Sequence, residues 1–226
     1  MVLVDQAREN NLIVQVESEA TKSSLAALMI KDTLVRLAQL RVEGTRFSNT
    51  VIPFLINSTA QARIKSLEIL EVYACRIGMF LKMKDLKKER RGEDILKSHD
   101  VIFMEATTLI RLFEESLITM DEIPLIIFDN CRSTKSTHPY YHFLQEFYHK
   151  IPDESYRPKL LGLTSLPLVD SLDKISINKL KSMFAAELHI VSISERPWYK
   201  ESILRYSSAE KYSPTPLMRW VAQRNS

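Results

Sequence analysis

The chain has 226 residues, of which 45% are hydrophobic and 26% charged, with a formal net charge of +3. This composition is typical of a globular protein with a sizeable core, and so weak a positive charge does not by itself indicate a nucleic-acid partner. The two cysteines, Cys75 and Cys131, exclude a disulfide framework and a four-cysteine zinc site. No apolar run approaches the roughly 20 residues that span a bilayer, so we expect no membrane partner and an intracellular location, cytoplasmic or nuclear.

Short apolar runs alternate with amphipathic segments along the chain. Runs typical of strands occur at residues 12–16, 51–56, 75–80, 100–104, 125–128, 159–164, 188–193 and 203–206. Helical spacing of apolar residues occurs at 23–40, 106–116, 139–150 and 171–186. A further helix is predicted from an N-cap at Asn57 or Ser58 to about residue 71. The charged run 82–91 is typical of a solvated helix or loop. Because parallel strands need helical crossovers, this order predicts a three-layer α/β domain, with a mostly parallel sheet and helices on both faces.

The strand at 125–128 is the strongest indication of a functional site. It is apolar throughout and ends in Asp129, which is typical of a strand buried on both faces of a parallel sheet, where ligands bind at the carboxyl ends. A nucleotidase holds magnesium with an acid at this point, so Asp129 is a candidate metal ligand, although a cap for the following turn is an equal alternative. The next residue, where a water-activating carboxylate is usual, is Asn130. Cys131, His138 and His142 follow at a spacing that matches no zinc signature, which favours structural roles.

The turn after the first predicted strand carries the second half of such a site. Lys22 and Ser23 are placed as the lysine and hydroxyl that end a phosphate-binding loop, and Ser18 and Thr21 complete the candidate nucleotide-binding set with Asp129. The loop has no glycine, however, and the acidic residues 17 and 19 lie where amides should face a polyanion, at an unfavourable cost of order 1 kcal/mol or more. The alternative is that the Lys-Ser pair simply begins an amphipathic helix.

Several segments together resemble one known family. They read ENNLIV at 9–14, VIPFLINSTAQ at 51–61, DVIFMEATTLIRL at 100–112, IPLIIFD at 123–129, HPY at 138–140 and RPKLLGLTS at 157–165. In order and spacing they resemble the motifs of the first RecA-like lobe of superfamily 2 helicases, in the branch of Dicer and the RNA-sensor helicases, and most closely fungal Dicer-like proteins. The resemblance implies a RecA-like lobe over residues 1–205, followed at 206–226 by an extension or a truncated link to a second lobe.

The resemblance also assigns residues and ligands. It implies nucleic-acid contacts by six residues, which are Thr59, Gln61, Thr107, Thr108, Thr164 and Ser165. The catalytic motifs depart from the family pattern, because the loop glycines and the motif II glutamate are missing and Arg132 replaces the usual histidine. The second lobe with its arginine finger is also absent from these residues. We therefore expect no cofactor and no meaningful ATPase activity from this chain alone. If the site is functional, its ligands are ATP and magnesium.

The sequence is compatible with three functions. The leading hypothesis is a catalytically degenerate Dicer-like helicase lobe that serves as a structural or interaction module in RNA silencing. Its candidate partners are double-stranded RNA and a second helicase lobe or Dicer-pathway protein. The second hypothesis is an ATPase half that works only with another lobe, and the third is a protein-interaction domain that keeps the scaffold without binding nucleotide.

Overall fold

The computed structural model describes residues 3–42, 50–87, 98–165 and 174–190. These residues form a seven-stranded parallel sheet in the order β3-β4-β2-β5-β6-β1-β7. The strands are β1 (Asn11–Gln15), β2 (Ile52–Leu55), β3 (Ile77–Met79), β4 (Val101–Met104), β5 (Leu125–Asp129), β6 (Lys159–Thr164) and β7 (Ala186–Ile190). The parallel sheet and its helices confirm the predicted three-layer α/β fold.

Helices follow most of the strands. They are α1 (Leu3–Glu9), α2 (Glu19–Val42), α3 (Thr59–Val72), α4 (Met83–Lys87), α5 (Ala106–Glu114), α6 (Pro139–Phe143) and α7 (Lys174–Phe184). α2 packs against α1 and α3, whereas α5 packs against α6, which continues into a π-helical turn at Leu144–Tyr148 that contacts α7. Alternate residues of the strands, such as Ile126 and Phe128, join the core that lies under α5, α6 and α7.

The central strands are buried along their whole length. β5 and β6 pair from Leu125↔Lys159 to Asp129↔Leu163, and all five residues of β5 are buried. Gly162 of β6 is required by a close approach, because a Cβ there would lie 2.8 Å from Cys131 Sγ. Because β5 is buried along its whole length, its apolar run at 125–128 predicted a central strand.

β2 carries a proline in the middle of the sheet. Val51 N donates to Glu122 O on the β5 side and Ile52 N donates to Asp100 O on the β4 side. The alternation places the missing N–H of Pro53 on the β5 side. β2 accordingly pairs with β4 at four positions but with β5 at only two, Phe54 and Leu55.

Several element predictions differ from the structure. α1 was not predicted, although Leu3, Val4 and Ala7 are buried on one side of it. The helix predicted at 139–150 ends as a regular α-helix at Phe143, and the strand predicted at 188–193 lies at Ala186–Ile190. The strand predicted at 203–206 and the boundary predicted at 205 lie outside the described residues. Over the described ranges, no helix combines the length and apolarity that a membrane span needs.

The sheet order brings four strand ends together. β2, β5, β6 and β1 are consecutive neighbours, so the residues that follow Leu55, Asp129, Thr164 and Gln15 lie along one edge. The buried Tyr140 hydroxyl lies 3.1 Å from the carbonyl oxygen of Leu55 and 2.9 Å from that of Asp129. It therefore ties the ends of β2 and β5, beside which the candidate site is built.

Candidate functional site

The connection between β1 and α2 is a short, closed turn. β1 ends at Gln15 and α2 begins at Glu19, four residues earlier than the predicted helix start at residue 23, which was wrong. Val16 N donates to Thr164 O at 2.9 Å. Ser18 Oγ accepts from Thr21 N at 3.1 Å and lies 2.8 Å from Thr21 Oγ1, so the Ser18 hydroxyl caps the helix and is hydrogen-bonded to the Thr21 hydroxyl.

Because α2 begins early, Lys22 lies in its first turn and points into the protein. Its side chain is 0% exposed. The ammonium lies 2.8 Å from Glu19 Oε1 and 2.8 Å from Asp129 Oδ1, and it donates to Asn130 Oδ1 at 2.9 Å. Three oxygen atoms of this chain therefore surround the lysine that was predicted to face phosphate.

Glu19 joins this lysine to a second one. Its Oε2 lies 3.1 Å from Lys65 Nζ, and its Oε1 accepts a hydrogen bond from Ser165 Oγ as well as contacting Lys22. Partial burial by itself would raise the pKa of the Glu19 carboxyl, but the hydrogen bonds from Lys22, Ser165 and Lys65 outweigh it and lower that pKa to about 2. The acidic residue that was expected to repel phosphate is thus held as a carboxylate between two ammonium groups.

Lys65 is the residue of this cluster that the sequence analysis missed. It lies on α3, is buried, and places Nζ 3.4 Å from Ser23 Oγ and 3.9 Å from Asp129 Oδ1. Little in the sequence indicated this position, because the apolar residues of α3 do not form one stripe. Ala62 and Ile69 are buried on the same side as Lys65, whereas Ile64, Leu67 and Leu70 are exposed.

Asp129 and Asn130 form the opposite wall. Asp129 Oδ1 is buried and makes no hydrogen bond within the described residues, so its contacts are the ion pairs with Lys22 and Lys65. Asn130 has φ 53°, a left-handed conformation that asparagine tolerates, and its Nδ2 donates to Asp129 Oδ2 at 3.4 Å. The strained residue after the strand therefore presents an amide, which cannot act as a general base.

This donor set does not fit a magnesium–triphosphate. The place beside Lys22 is taken by the Glu19 carboxylate, and the Ser23 hydroxyl faces the Lys65 ammonium rather than an open position. Among the residues that the structure describes, no group of three or more His, Cys, Asp or Glu side chains is arranged to hold a metal ion. Asp129, the predicted metal ligand, contacts the ammonium groups of Lys22 and Lys65, and its role as a metal ligand stays a prediction.

The predicted nucleic-acid contacts separate into two groups. Thr59 and Gln61, on the first turn of α3, and Thr107, on the first turn of α5, are exposed near the same edge of the sheet. Thr108 and Thr164 are buried, and the Thr108 hydroxyl donates to Leu81 O. Ser165 is half-buried against Glu19. For all six residues the predicted contact with nucleic acid stays a prediction.

Cys131 and His138, for which the sequence favoured structural roles, both contact other parts of the fold. Cys131 is buried against Gly162, and burial raises the pKa of its thiol to about 12, which disfavours the thiolate form that a nucleophile needs. His138 precedes α6, and its Nδ1 accepts from Tyr140 N at 3.2 Å, which caps the helix. Burial lowers the pKa of the His138 ring.

Comparison with known proteins finds relatives of one kind. No family model matches the chain. Endoribonuclease Dicer homolog 1 of Arabidopsis thaliana is 29% identical over 167 residues, which are 74% of this chain and 8% of that protein. Dicer-like protein 1 of Cryphonectria parasitica is 28% identical over 176 residues, which are 76% of this chain and 11% of that protein. The chain thus spans a small part of the curated relatives that it matches.

The solved structures agree on the fold. The crystal structure of the Pyrococcus furiosus Hef helicase domain aligns with a TM-score of 0.64 and 14% identity, over 87% of this chain and 38% of that one. The motif order, the parallel sheet and the relatives lead to the same assignment. The chain is homologous to the Dicer-like proteins over about three quarters of its length, and it has a three-layer α/β fold of the RecA-like type, similar to that of the Hef helicase domain.

Proposed function

We propose that this chain is a helicase lobe of RNA silencing that serves as a structural and interaction module and does not hydrolyse ATP. One observation carries the proposal: the Glu19 carboxylate lies between the ammonium groups of Lys22 and Lys65, in the place where a terminal phosphate would contact the loop lysine, Lys22. In a working site, the lysine of the loop contacts the terminal phosphates. Here its charge is already matched inside the protein.

Binding of a triphosphate would have to undo this arrangement. Glu19 would have to leave both lysines and Ser165, and a polyanion would then face the buried Asp129. Each contact between like charges in such a poorly solvated place is unfavourable, at a cost of order 1 kcal/mol or more. The wild-type pocket therefore favours its own carboxylate over an added phosphate.

Hydrolysis has a second obstacle at Asn130. The Asn130 amide takes the position of the usual water-activating carboxylate, and its Oδ1 already accepts a hydrogen bond from Lys22. An amide cannot take a proton from the attacking water, and loss of a general base slows such a reaction by roughly two to four powers of ten. Even a nucleotide forced into the pocket would therefore be cleaved very slowly.

Isothermal titration of the whole chain with ATP and magnesium tests this proposal. We expect no saturable heat, and clear micromolar binding would overturn the claim that the pocket does not take nucleotide. Glu19→Gln is the matched variant, because it removes the competing charge but keeps the size of the side chain. Since two lysines then face one carboxylate, we expect this variant to bind tripolyphosphate more tightly than the wild type does.

A second experiment distinguishes this proposal from the alternative that the chain is one half of an ATPase. If the lobe works only with a partner, addition of double-stranded RNA and a second helicase lobe should stimulate hydrolysis, and Lys22→Ala should abolish it. We expect no stimulation, because the Asn130 amide remains in place whichever lobe is added.

We propose double-stranded RNA as one partner because Thr59, Gln61 and Thr107 are exposed near one edge of the sheet. The hydroxyl and amide groups of these side chains suit contacts to phosphate and ribose, which position an RNA without reading its sequence. Fluorescence anisotropy with a short RNA duplex should show salt-dependent binding that the combined alanine variant of these residues weakens. Ser155→Ala, before β6 at the opposite edge, is the control, and equal loss in both variants would refute this surface.

A further inference from the structure

The ammonium of Lys65 lies among the kinds of oxygen atom that hold magnesium in related folds. Its Nζ is 3.4 Å from the Ser23 hydroxyl, 3.1 Å from Glu19 Oε2 and 3.9 Å from Asp129 Oδ1. In P-loop nucleotidases the metal is bound by the loop Ser or Thr, by the acid that follows the central strand, and by phosphate oxygens. The ammonium of Lys65 therefore contacts the same kinds of oxygen atom as the magnesium ion does in those proteins, with the Glu19 carboxylate in place of the phosphate.

Glu19 reproduces the other half of that arrangement. A terminal phosphate bridges the loop lysine and the metal ion through separate oxygen atoms. The Glu19 carboxylate bridges Lys22 through Oε1, at 2.8 Å, and Lys65 through Oε2, at 3.1 Å. It also accepts a hydrogen bond from Ser165, which follows β6. One carboxylate thus connects α2, α3 and the end of β6, as a bound anion would.

We propose that Lys65 and Glu19 are a built-in substitute for the magnesium ion and the phosphate group, which keeps the lobe in one ligand-independent state. This inference rests on the proposed function, because it explains how the lobe dispenses with nucleotide. The two lysines, Lys22 and Lys65, balance the two carboxylates, Glu19 and Asp129, so the cluster is neutral without any ligand.

The proposal predicts a gain of metal binding when the substitute cation is removed. Lys65→Met replaces the lysine by an uncharged side chain of similar length, so the cluster is left with one excess negative charge. Glu19, Asp129 and Ser23 then offer carboxylate and hydroxyl oxygens to a small divalent cation, which are the ligands that Mn²⁺ accepts. We expect Mn²⁺ to bind to Lys65→Met but not to the wild type at the same concentration, as read by electron paramagnetic resonance without nucleotide.

Two control variants separate this effect from a general change of charge. Lys150→Met removes an exposed lysine that pairs with Glu146, and it should bind Mn²⁺ no better than the wild type. The double variant Lys65→Met/Glu19→Gln lacks one of the two carboxylates, and its affinity for Mn²⁺ should be about tenfold or more below that of Lys65→Met. A folded Lys65→Met chain that binds Mn²⁺ no more tightly than Lys150→Met would overturn the proposal that Lys65 takes the place of the metal ion.

The test also holds if the single variant does not fold. Mn²⁺ should then restore cooperative unfolding to Lys65→Met, since a ligand that binds only the native state stabilises that state. Failure of Mn²⁺ to restore the fold would likewise overturn the proposal. The Mn²⁺ assay contains no nucleotide, so it is independent of the ATP titration. If Lys65→Met does not bind Mn²⁺ and the wild type does not bind ATP, the built-in substitute is refuted but the proposed function stays intact.

Discussion

Two ion clusters at opposite ends of the sheet illustrate different uses of charge. Before β3 and β4, the Asp100 carboxylate accepts from the backbone N of Arg76 at 2.8 Å and from its guanidinium at 3.2 and 2.8 Å. After β1 and β5, Lys22 contacts Glu19 and Asp129 through side chains alone. The first cluster is anchored to the backbone, so it fixes strands. The second is held together by its own charges, so a single substitution changes what it can bind.

The largest difference between the two clusters should follow from removal of Lys22. Lys22→Met leaves the buried Asp129 and the Glu19 carboxylate facing each other without this cation, and breaking a buried pair by removing one partner costs about 3–5 kcal/mol. Urea unfolding followed by circular dichroism measures the change. Lys150→Met, which removes an exposed charge, should stay within about 0.5 kcal/mol of wild type. A loss for Lys22→Met as small as that of this control would contradict the cluster as described.

Tyr140→Phe should have the next largest effect, because it disconnects the strand ends beneath the carboxyl-end cluster. The Tyr140 hydroxyl lies at hydrogen-bonding distance from the buried carbonyl oxygens of Leu55 and Asp129. Leaving a buried acceptor without its donor costs about 1–3 kcal/mol. The neighbouring Tyr141→Phe is the matched control in the same unfolding assay. Equal stability of both variants would show that the hydroxyl does not hold β2 and β5 together.

The amino-end cluster should respond less to loss of its charge. Asp100→Asn keeps an oxygen that can accept from the Arg76 backbone N but removes the charge that pairs with the guanidinium, whose side chain is 37% exposed. Water compensates part of that loss, so we expect about 1 kcal/mol. The same measurement in high salt should show a smaller effect, because screening weakens exposed pairs. A loss as large as that of Lys22→Met would remove the distinction between the two clusters.

The sequence predicted the scaffold because the strands carry their own pattern. The runs at 100–104 and 159–164 are apolar enough to be buried on both faces, and they match β4 and β6 within one residue. The cap at Ser58 was also readable, since its side chain accepts from Gln61 N. α1 was missed because its buried stripe is only Leu3, Val4 and Ala7, too short a pattern to indicate a helix by itself.

The candidate site was predictable only in part. Lys22 and Ser23 were named because a Lys-Ser pair after the first strand fits a phosphate-binding loop, and Asp129 because it ends a buried parallel strand, where ligands bind. Glu19 was predicted to repel a ligand, but its attraction to Lys65 depends on how α3 packs against α2, which no local pattern in the sequence gives. The start of α2 was misplaced for a related reason, because Ser18 looked like a loop residue although it caps a helix.

The smallest expected effect concerns acid, and it tests whether Glu19 is held as a carboxylate. Its pKa is lowered from 4.5 to about 2 by Lys22, Ser165 and Lys65. A lowered carboxyl pKa adds stability above pH 4.5 that is lost as the pH falls towards 2. Since the Glu19 side chain is 52% exposed, the contribution should be no more than about 1 kcal/mol.

Comparison of the wild type with Glu19→Gln isolates the contribution of the Glu19 charge to stability. The stability difference between the two chains should shrink as the pH falls from about 5 to about 2. The ¹³C shift of the Glu19 carboxyl in the wild type should have its midpoint near the lower of these values. A midpoint near 4.5, together with a stability difference independent of pH, would mean that the two lysines do not hold Glu19 in solution and that the carboxyl-end cluster is open.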